Sequence, residues 1–158
     1  MDSVGEGTKL PVMSESEIEK IFPGLGVGNY TITSPSTPEY NCIAWAAGDI
    51  GAWWWPDANN QYYWPNEVPR EESLGAFKDL FEKRGYQECE TGDYEEGYQK
   101  IAIYIDANNK PTHVSRQLSS GIWTSKLGQI EDIEHPFQGL DSPTYGSVAV
   151  IMKLFKQF

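Results

Sequence analysis

The sequence predicts an α+β fold in which helices pack on one side of an antiparallel β-sheet meander. Apolar residues recur at helical spacing in the first half of the chain, as at Leu74, Phe77, Leu80 and Phe81. They alternate in the second half, as at Ile101, Ile103 and Ile105. The helical segments come first and the extended ones later, without the strict alternation that builds a parallel sheet. With 158 residues, 39% of them apolar and 13% aromatic, the chain suits one compact domain.

Residues 1–13 are polar and without a period, and read as a flexible leader ahead of one domain over residues 14–158. Ser14 to Glu17 fits a capping box for a short helix with Ile18, Ile21 and Phe22 on one face, stopped by Pro23-Gly24. A connector rich in Gly, Pro, Ser and Thr follows over residues 23–38. Tyr40 to Ala47 reads as a buried helix, capped by Thr37 with Pro38 in its first turn or by Asn41 itself, and ended by Gly48. Trp53 to Pro69 is an aromatic, Pro- and Asn-rich packed loop, and Glu71 to Arg84 is the clearest helix, closed by Gly85. Strands are expected at Ile101 to Ile105, Thr112 to Leu118 and Ile122 to Leu127, with turns at residues 106–109 and 119–121. An acidic segment, Ile130 to Asp141, precedes a last strand, Ser147 to Phe155, that closes the sheet.

Composition excludes several classes of function. Lys plus Arg number 12 against 23 Asp plus Glu, a formal charge of −11, which disfavours nucleic acid and anionic membranes as partners. Apolar runs such as Val148 to Met152 fall far short of the roughly 20 residues of a membrane span. The start shows no secretory signal, so a cytoplasmic location is expected. Cys42 and Cys89 form no CxxC pair, His113 and His135 no tight ligand spacing, and no phosphate loop is present, so neither a metal nor a cofactor is called for. Glu95-Glu96 and the run from Glu131 to His135 read as solvated charge, with Asp132, Glu134 and His135 as a helix-start or turn cluster.

Chemistry centres on Cys42. A free cysteine near pKa ~8.5 needs help to become a thiolate, and a helix start supplies N–H groups and a positive dipole end. A general base is then required, with His113 on a strand as first choice and His135 as the alternative. A three-residue loop Ser119-Ser120-Gly121 makes Leu118 face Ile122, which puts His113, Ser115 and Gln117 on the face of Trp123 and Ser125. Ser125 or Gln117 is then placed to orient the imidazole; a loop one residue shorter would bring Thr124 and Lys126 there instead. Cys89, between Glu88 and Glu90, faces a negative field that raises its pKa.

Six rings, Trp53, Trp54, Trp55, Tyr62, Tyr63 and Trp64, fall within twelve residues. They fold inward as a satellite core or line a groove; the inward reading is preferred, with at least one ring at the site rim. Arg116 and Lys126 are scarce cations, suited to a structural ion pair or to a substrate carboxylate. The candidate substrate-binding residues are Asn41, Trp45, Trp55, Trp64, Gln117, Trp123 and Lys126.

The order of a Cys at a helix start, a His on a later strand and a polar residue on the next strand resembles the papain-like cysteine hydrolases, especially NlpC-type and CHAP-type peptidases and amidases. That resemblance implies a papain-like form of the fold, Cys42 as nucleophile, His113 as base and Ser125 as third member. The strings YNCIAWAAGD, WWWP, PTHxxRQ, WTSKLG and EDIEHP, here Tyr40 to Asp49, Trp53 to Pro56, Pro111 to Gln117, Trp123 to Gly128 and Glu131 to Pro136, are also similar to those of a group of uncharacterised bacterial proteins. The expected function is thiol-dependent hydrolysis or acyl transfer on an amide of a peptide or protein, with a basic substrate favoured by the acidic surface. The alternative is a noncatalytic domain that binds protein through the aromatic loop and acidic surface.

Overall fold

The computed structural model describes residues 21–25, 30–34, 40–49, 51–127, 132–137, 139–142 and 145–156. The leader, Thr37, Pro38 and nearly all of the expected first helix lie outside them. The elements are β1 (Thr31–Ser34), α1 (Cys42–Ala47), α2 (Leu74–Glu82), β2 (Gln87–Cys89), β3 (Tyr98–Ile105), β4 (Pro111–Gln117), β5 (Trp123–Lys126), β6 (Asp132–His135) and β7 (Ser147–Phe155). The strands form one antiparallel sheet in the order β1-β6-β5-β4-β3-β7-β2.

This corrects the expected fold class. Among the described residues the structure is mostly a seven-stranded antiparallel sheet with two short helices of six and nine residues, not a papain-like α+β arrangement with a layer of helices on one side. The difference comes from three short polar strands. Thr31–Ser34, Gln87–Cys89 and Asp132–His135 are too short and too polar to show an alternating apolar pattern, yet each pairs along its length with a neighbouring strand. The segment read as an acidic turn cluster is therefore an inner strand. For the same reason β7 does not close the sheet: it lies between β3 and β2, and β1 and β2 are the borders.

Successive side chains of a strand point to opposite faces, and β3 shows what covers each face. Ile101 and Ile103 join Val114 and Met152 beneath α1, α2, Trp54 and Trp64. Ala102 and Tyr104 join Trp123 and Ile133 beneath Phe22, Leu25 and Leu140. The sheet is thus filled from both sides, and β3 is buried from Lys100 to Tyr104. α2 contributes Ala76, Phe77, Leu80 and Phe81, and burying each Phe or Leu is worth roughly 1.5–3 kcal/mol. Ser73 caps it by accepting from the N–H of Ala76 at 3.1 Å.

The hairpin between β4 and β5 forms as the loop residues predict. Gly121 has φ 91°, and the N–H of Leu118 donates to the carbonyl of Ile122 at 2.8 Å. The register that follows pairs Gln117 with Trp123 and Arg116 with Thr124, and the ladder goes no further between the described residues.

The aromatic loop folds inward only in part, leaving Tyr62 and Tyr63 44% and 48% exposed. Trp54 and Trp64 are 3% exposed, with their indole N–H groups donating to Asp49 at 2.9 Å and to the Pro69 carbonyl at 3.0 Å. Trp55 packs edge-on against Phe77. Arg70 secures the loop from outside through an ion pair with Asp57 at 3.0 Å and the Tyr62 carbonyl at 3.3 Å.

A candidate active site at β4, β5 and β6

Cys42 opens α1 because Asn41 caps it. The Asn41 side-chain oxygen accepts from the N–H groups of Ala44 at 3.2 Å and Trp54 at 3.1 Å, while its amide donates to the Trp54 carbonyl at 2.6 Å. All of this polarity is spent inside the protein, so Asn41 is a structural cap and not the substrate contact the sequence pointed to. The Cys42 thiol is buried, and burial pushes its pKa up to about 11 against the backbone N–H groups of Val114, Ile43 and Cys42 itself and the charge of Lys126. At neutral pH the group is a thiol.

Lys126 is 0% exposed, with its ammonium 5.5 Å from the centre of the Tyr40 ring. Its place is the protein interior, near enough to Cys42 for its charge to act there, and not an open groove. Trp64 is a core residue for the same reason. Trp45, partly exposed, is held by Arg116, whose guanidinium carbon lies 4.8 Å from the ring centre. Arg116 therefore has a cation–π contact where an ion pair or a substrate carboxylate was expected.

His113 is fully buried on β4, opposite Tyr104 of β3. Its ring stacks on Tyr145 at 4.2 Å with 10° between planes and meets Tyr104 edge-on at 5.3 Å. Burial, reinforced by neighbouring His135, holds the imidazole well below its ordinary pKa. Nε2 lies 2.9 Å from Ser125 Oγ, which lies 2.7 Å from His135 Nε2. His135 Nδ1 lies 2.7 Å from the carbonyl of Pro136. The diagonal placement of Ser125 from His113 is the one the hairpin register predicts. Gln117 does not share in it: its amide donates to the carbonyls of Gly92 at 3.0 Å and Gly121 at 3.2 Å, tying down the hairpin.

The direction of every proton in this chain follows from its last member. A carbonyl oxygen only accepts, so His135 carries its proton on Nδ1 and its Nε2 is an acceptor. Ser125 therefore donates to His135, and its oxygen accepts Nε2–H of His113. His113 is left with a bare Nδ1 lone pair, and that atom is buried without a hydrogen-bond partner. His135 entered the sequence reading as a rival base to His113; it stands at the far end of the same network. Nothing in its polar neighbourhood, Asp132-Ile133-Glu134, betrayed a strand that would carry it there.

The thiol and the imidazole lie on opposite faces of the sheet, with the peptide group that joins His113 to Val114 between them. Cys42 packs with Val114 and Ile103, His113 with Tyr104 and Tyr145, and the N–H of Val114, the residue after His113, faces the sulfur. No hydrogen bond joins Nδ1 to the sulfur, since Nδ1 has no partner. Trp123 is 3% exposed and tilted against Phe137 at 4.9 Å. With Tyr30, Glu134, His135 and Phe137 it lines a cavity of about 410 Å³. Cys89 is half-buried, its pKa raised by burial first and by Glu95 after that, against Lys100 and Lys153.

Fold and site together define an antiparallel β-sheet domain with an interior His–Ser–His network and a separate buried thiol. The chain belongs to the family described as Domain of unknown function (DUF7689), whose model matches residues 31–153, from β1 into β7 and so across the whole site. No curated protein and no solved structure matches it. No helix among the described residues is long and apolar enough to cross a membrane.

Proposed function

We propose that the domain is a thiol-dependent hydrolase or acyl transferase acting on amide bonds, with Cys42 as nucleophile and His113 as general base. The observation that carries this reading is the bare Nδ1 of His113, a buried acceptor with its partner nitrogen committed to Ser125, one peptide group from a thiol. A raised thiol and a lowered imidazole make a neutral resting pair, so the proton moves as sulfur attacks and no ion pair waits beforehand. Because the two side chains lie on opposite faces of the sheet, attack requires the ring to leave its stack on Tyr145 and β4 to open beside Val114, where the ladder to β5 makes no pairs between the described residues. The N–H groups around Cys42 are placed to receive charge that develops beside it. A peptide or protein with a basic segment fits the formal charge of −11.

Burial of Cys42 favours a second reading, in which the thiol is core packing and the domain binds protein without catalysis. Alkylation with iodoacetamide separates the two. In the hydrolase, Cys42 of the intact protein reacts faster at neutral pH than the same residue in a His113→Gln variant, and Cys42→Ala abolishes cleavage of a peptide-amide library while Cys89→Ala does not. Equal, slow modification of both cysteines, indifferent to His113, makes the domain a binder.

A further inference from the structure

We propose that His135 is the seat of positive charge when this site takes up a proton: a proton received at His113 Nδ1 is passed through Ser125, leaving His113 neutral and His135 as the imidazolium. The inference rests on the hydrolase reading only in naming the Cys42 thiol as the proton's source; the relay works with any source.

The transfer balances at each atom. A bond forms between the incoming proton and His113 Nδ1, and the proton on Nε2 crosses 2.9 Å to Ser125 Oγ. The hydroxyl's own proton crosses 2.7 Å to His135 Nε2. His113 ends as the opposite neutral tautomer, Ser125 as a hydroxyl with its donor direction reversed, and His135 with protons on both nitrogens. Nothing is oxidised or reduced.

The charge settles on His135 because the two rings have different surroundings. His113 is sealed between Tyr104 and Tyr145, and an Nδ1–H there has no acceptor. His135 has an acceptor for each proton, the Pro136 carbonyl and Ser125, and it borders the cavity lined by Glu134, Tyr30 and Trp123. The Nδ1–H of His113 lacks an acceptor in either outcome, but on a neutral ring that costs less than on a charged one, and both donors of a charged His135 are paired. Among the described residues the titratable groups that face the pair are Tyr104 from β3, Tyr145 ahead of β7, and Glu134 and Tyr30 at the cavity; behind them Asp141 acts on Tyr104, and Cys42, on the α1 face, acts on Tyr145. Burial lowers both rings, His135 to about 4 with the Pro136 carbonyl opposing the shift, and His113 without such relief.

Nitrogen-15 NMR of the full chain labelled at histidine tests this, since long-range proton couplings distinguish the two neutral tautomers from the imidazolium. Two histidines make assignment direct, by His113→Gln and His135→Gln. At neutral pH His113 is expected as the Nε2–H tautomer and His135 as the Nδ1–H tautomer. On acidification His135 gains its second proton while His113 changes tautomer, and Ser125→Ala uncouples the two events. The proposal is overturned if His113 becomes the imidazolium while His135 keeps one proton, or if the neutral-pH tautomers are reversed; the wild-type spectrum decides even where a variant fails to fold. Correct tautomers and coupled titration in a protein whose Cys42 is inert would uphold the relay and reject the hydrolase, and the converse result would do the opposite.

Discussion

Arg116 holds Trp45 in two ways at once. Its guanidinium lies over the indole, and one of its N–H groups donates to the Trp45 carbonyl at 3.2 Å, a carbonyl in the last turn of α1 that also receives the N–H of Gly48 at 3.0 Å. The contact ties α1 to β4 across 71 positions of sequence. Arg116→Ala is expected to cost about 2 kcal/mol, the sum of a partly buried cation–π contact and a charged hydrogen bond. Arg116→Lys should recover less than half, because an ammonium cannot cover the ring and reach the carbonyl together. Urea unfolding of the two variants measures both figures.

Asn41 answers for three hydrogen bonds at 3% exposure. Asn41→Ala removes a cap worth ~1 kcal/mol and strands two buried backbone groups of Trp54, for a total of roughly 3 kcal/mol. Asn41→Asp keeps the cap but sets a carboxylate against the Trp54 carbonyl, and should lie between wild type and Asn41→Ala. Thermal denaturation would contradict this if Asn41→Ala melted with the wild type.

Gly146 precedes β7 with φ 79°, and a Cβ built there would fall inside the carbonyl of Ile105. Neither backbone can yield, since Gly146 and Ser142 exchange two hydrogen bonds and Ile105 pairs with Ser147. Gly146→Ala should destabilise by roughly 3 kcal/mol or more, combining overlap with left-handed strain. A variant that unfolds at the wild-type denaturant concentration would show that the turn rearranges freely.

Stability should fall in acid through the histidines. Folding lowers both below the ordinary value of 6.5, so the unfolded chain binds more protons and stability rises with pH in that range. For His135, with a folded pKa of about 4, the loss begins as pH drops below 6.5, is complete below about 4, and amounts to about 3 kcal/mol. His113 adds to it in the same direction. At the alkaline end Cys42 does the reverse: its pKa rises from 9.0 to about 11, so the unfolded chain loses its proton first and stability falls above pH 9. Unfolding curves from pH 4 to 7 should show His135→Gln with a shallower slope than wild type; equal slopes would place the acid sensitivity elsewhere.

Some of this was legible in the sequence because it rests on local rules. Gly121 marks a three-residue loop, the loop sets the register, and the register aligns His113 with Ser125. Asn41 at the head of an apolar run likewise marks a helix start. What was not legible depends on distant partners. Asp132–His135 looks like solvated charge until Trp123 to Lys126 and Thr31 to Ser34 pair on either side of it. With those short strands unseen, the two helices weigh too heavily and the fold is read as helices on a meander. The same omission hides the place of His135, and the use of Asn41 cannot be known before Trp54 folds back upon it.

The borders of the sheet are short, four residues in β1 and three in β2, and β2 sets Glu88 outward in an ion pair with Lys78 at 2.6 Å. A stranger chain arriving at either margin finds few open rungs, and at one of them a charged side chain standing guard. Crowded or overexpressed, the domain should resist zipping into fibrils through its flanks, and lengthening β2 with alternating valines is the alteration that would remove that protection.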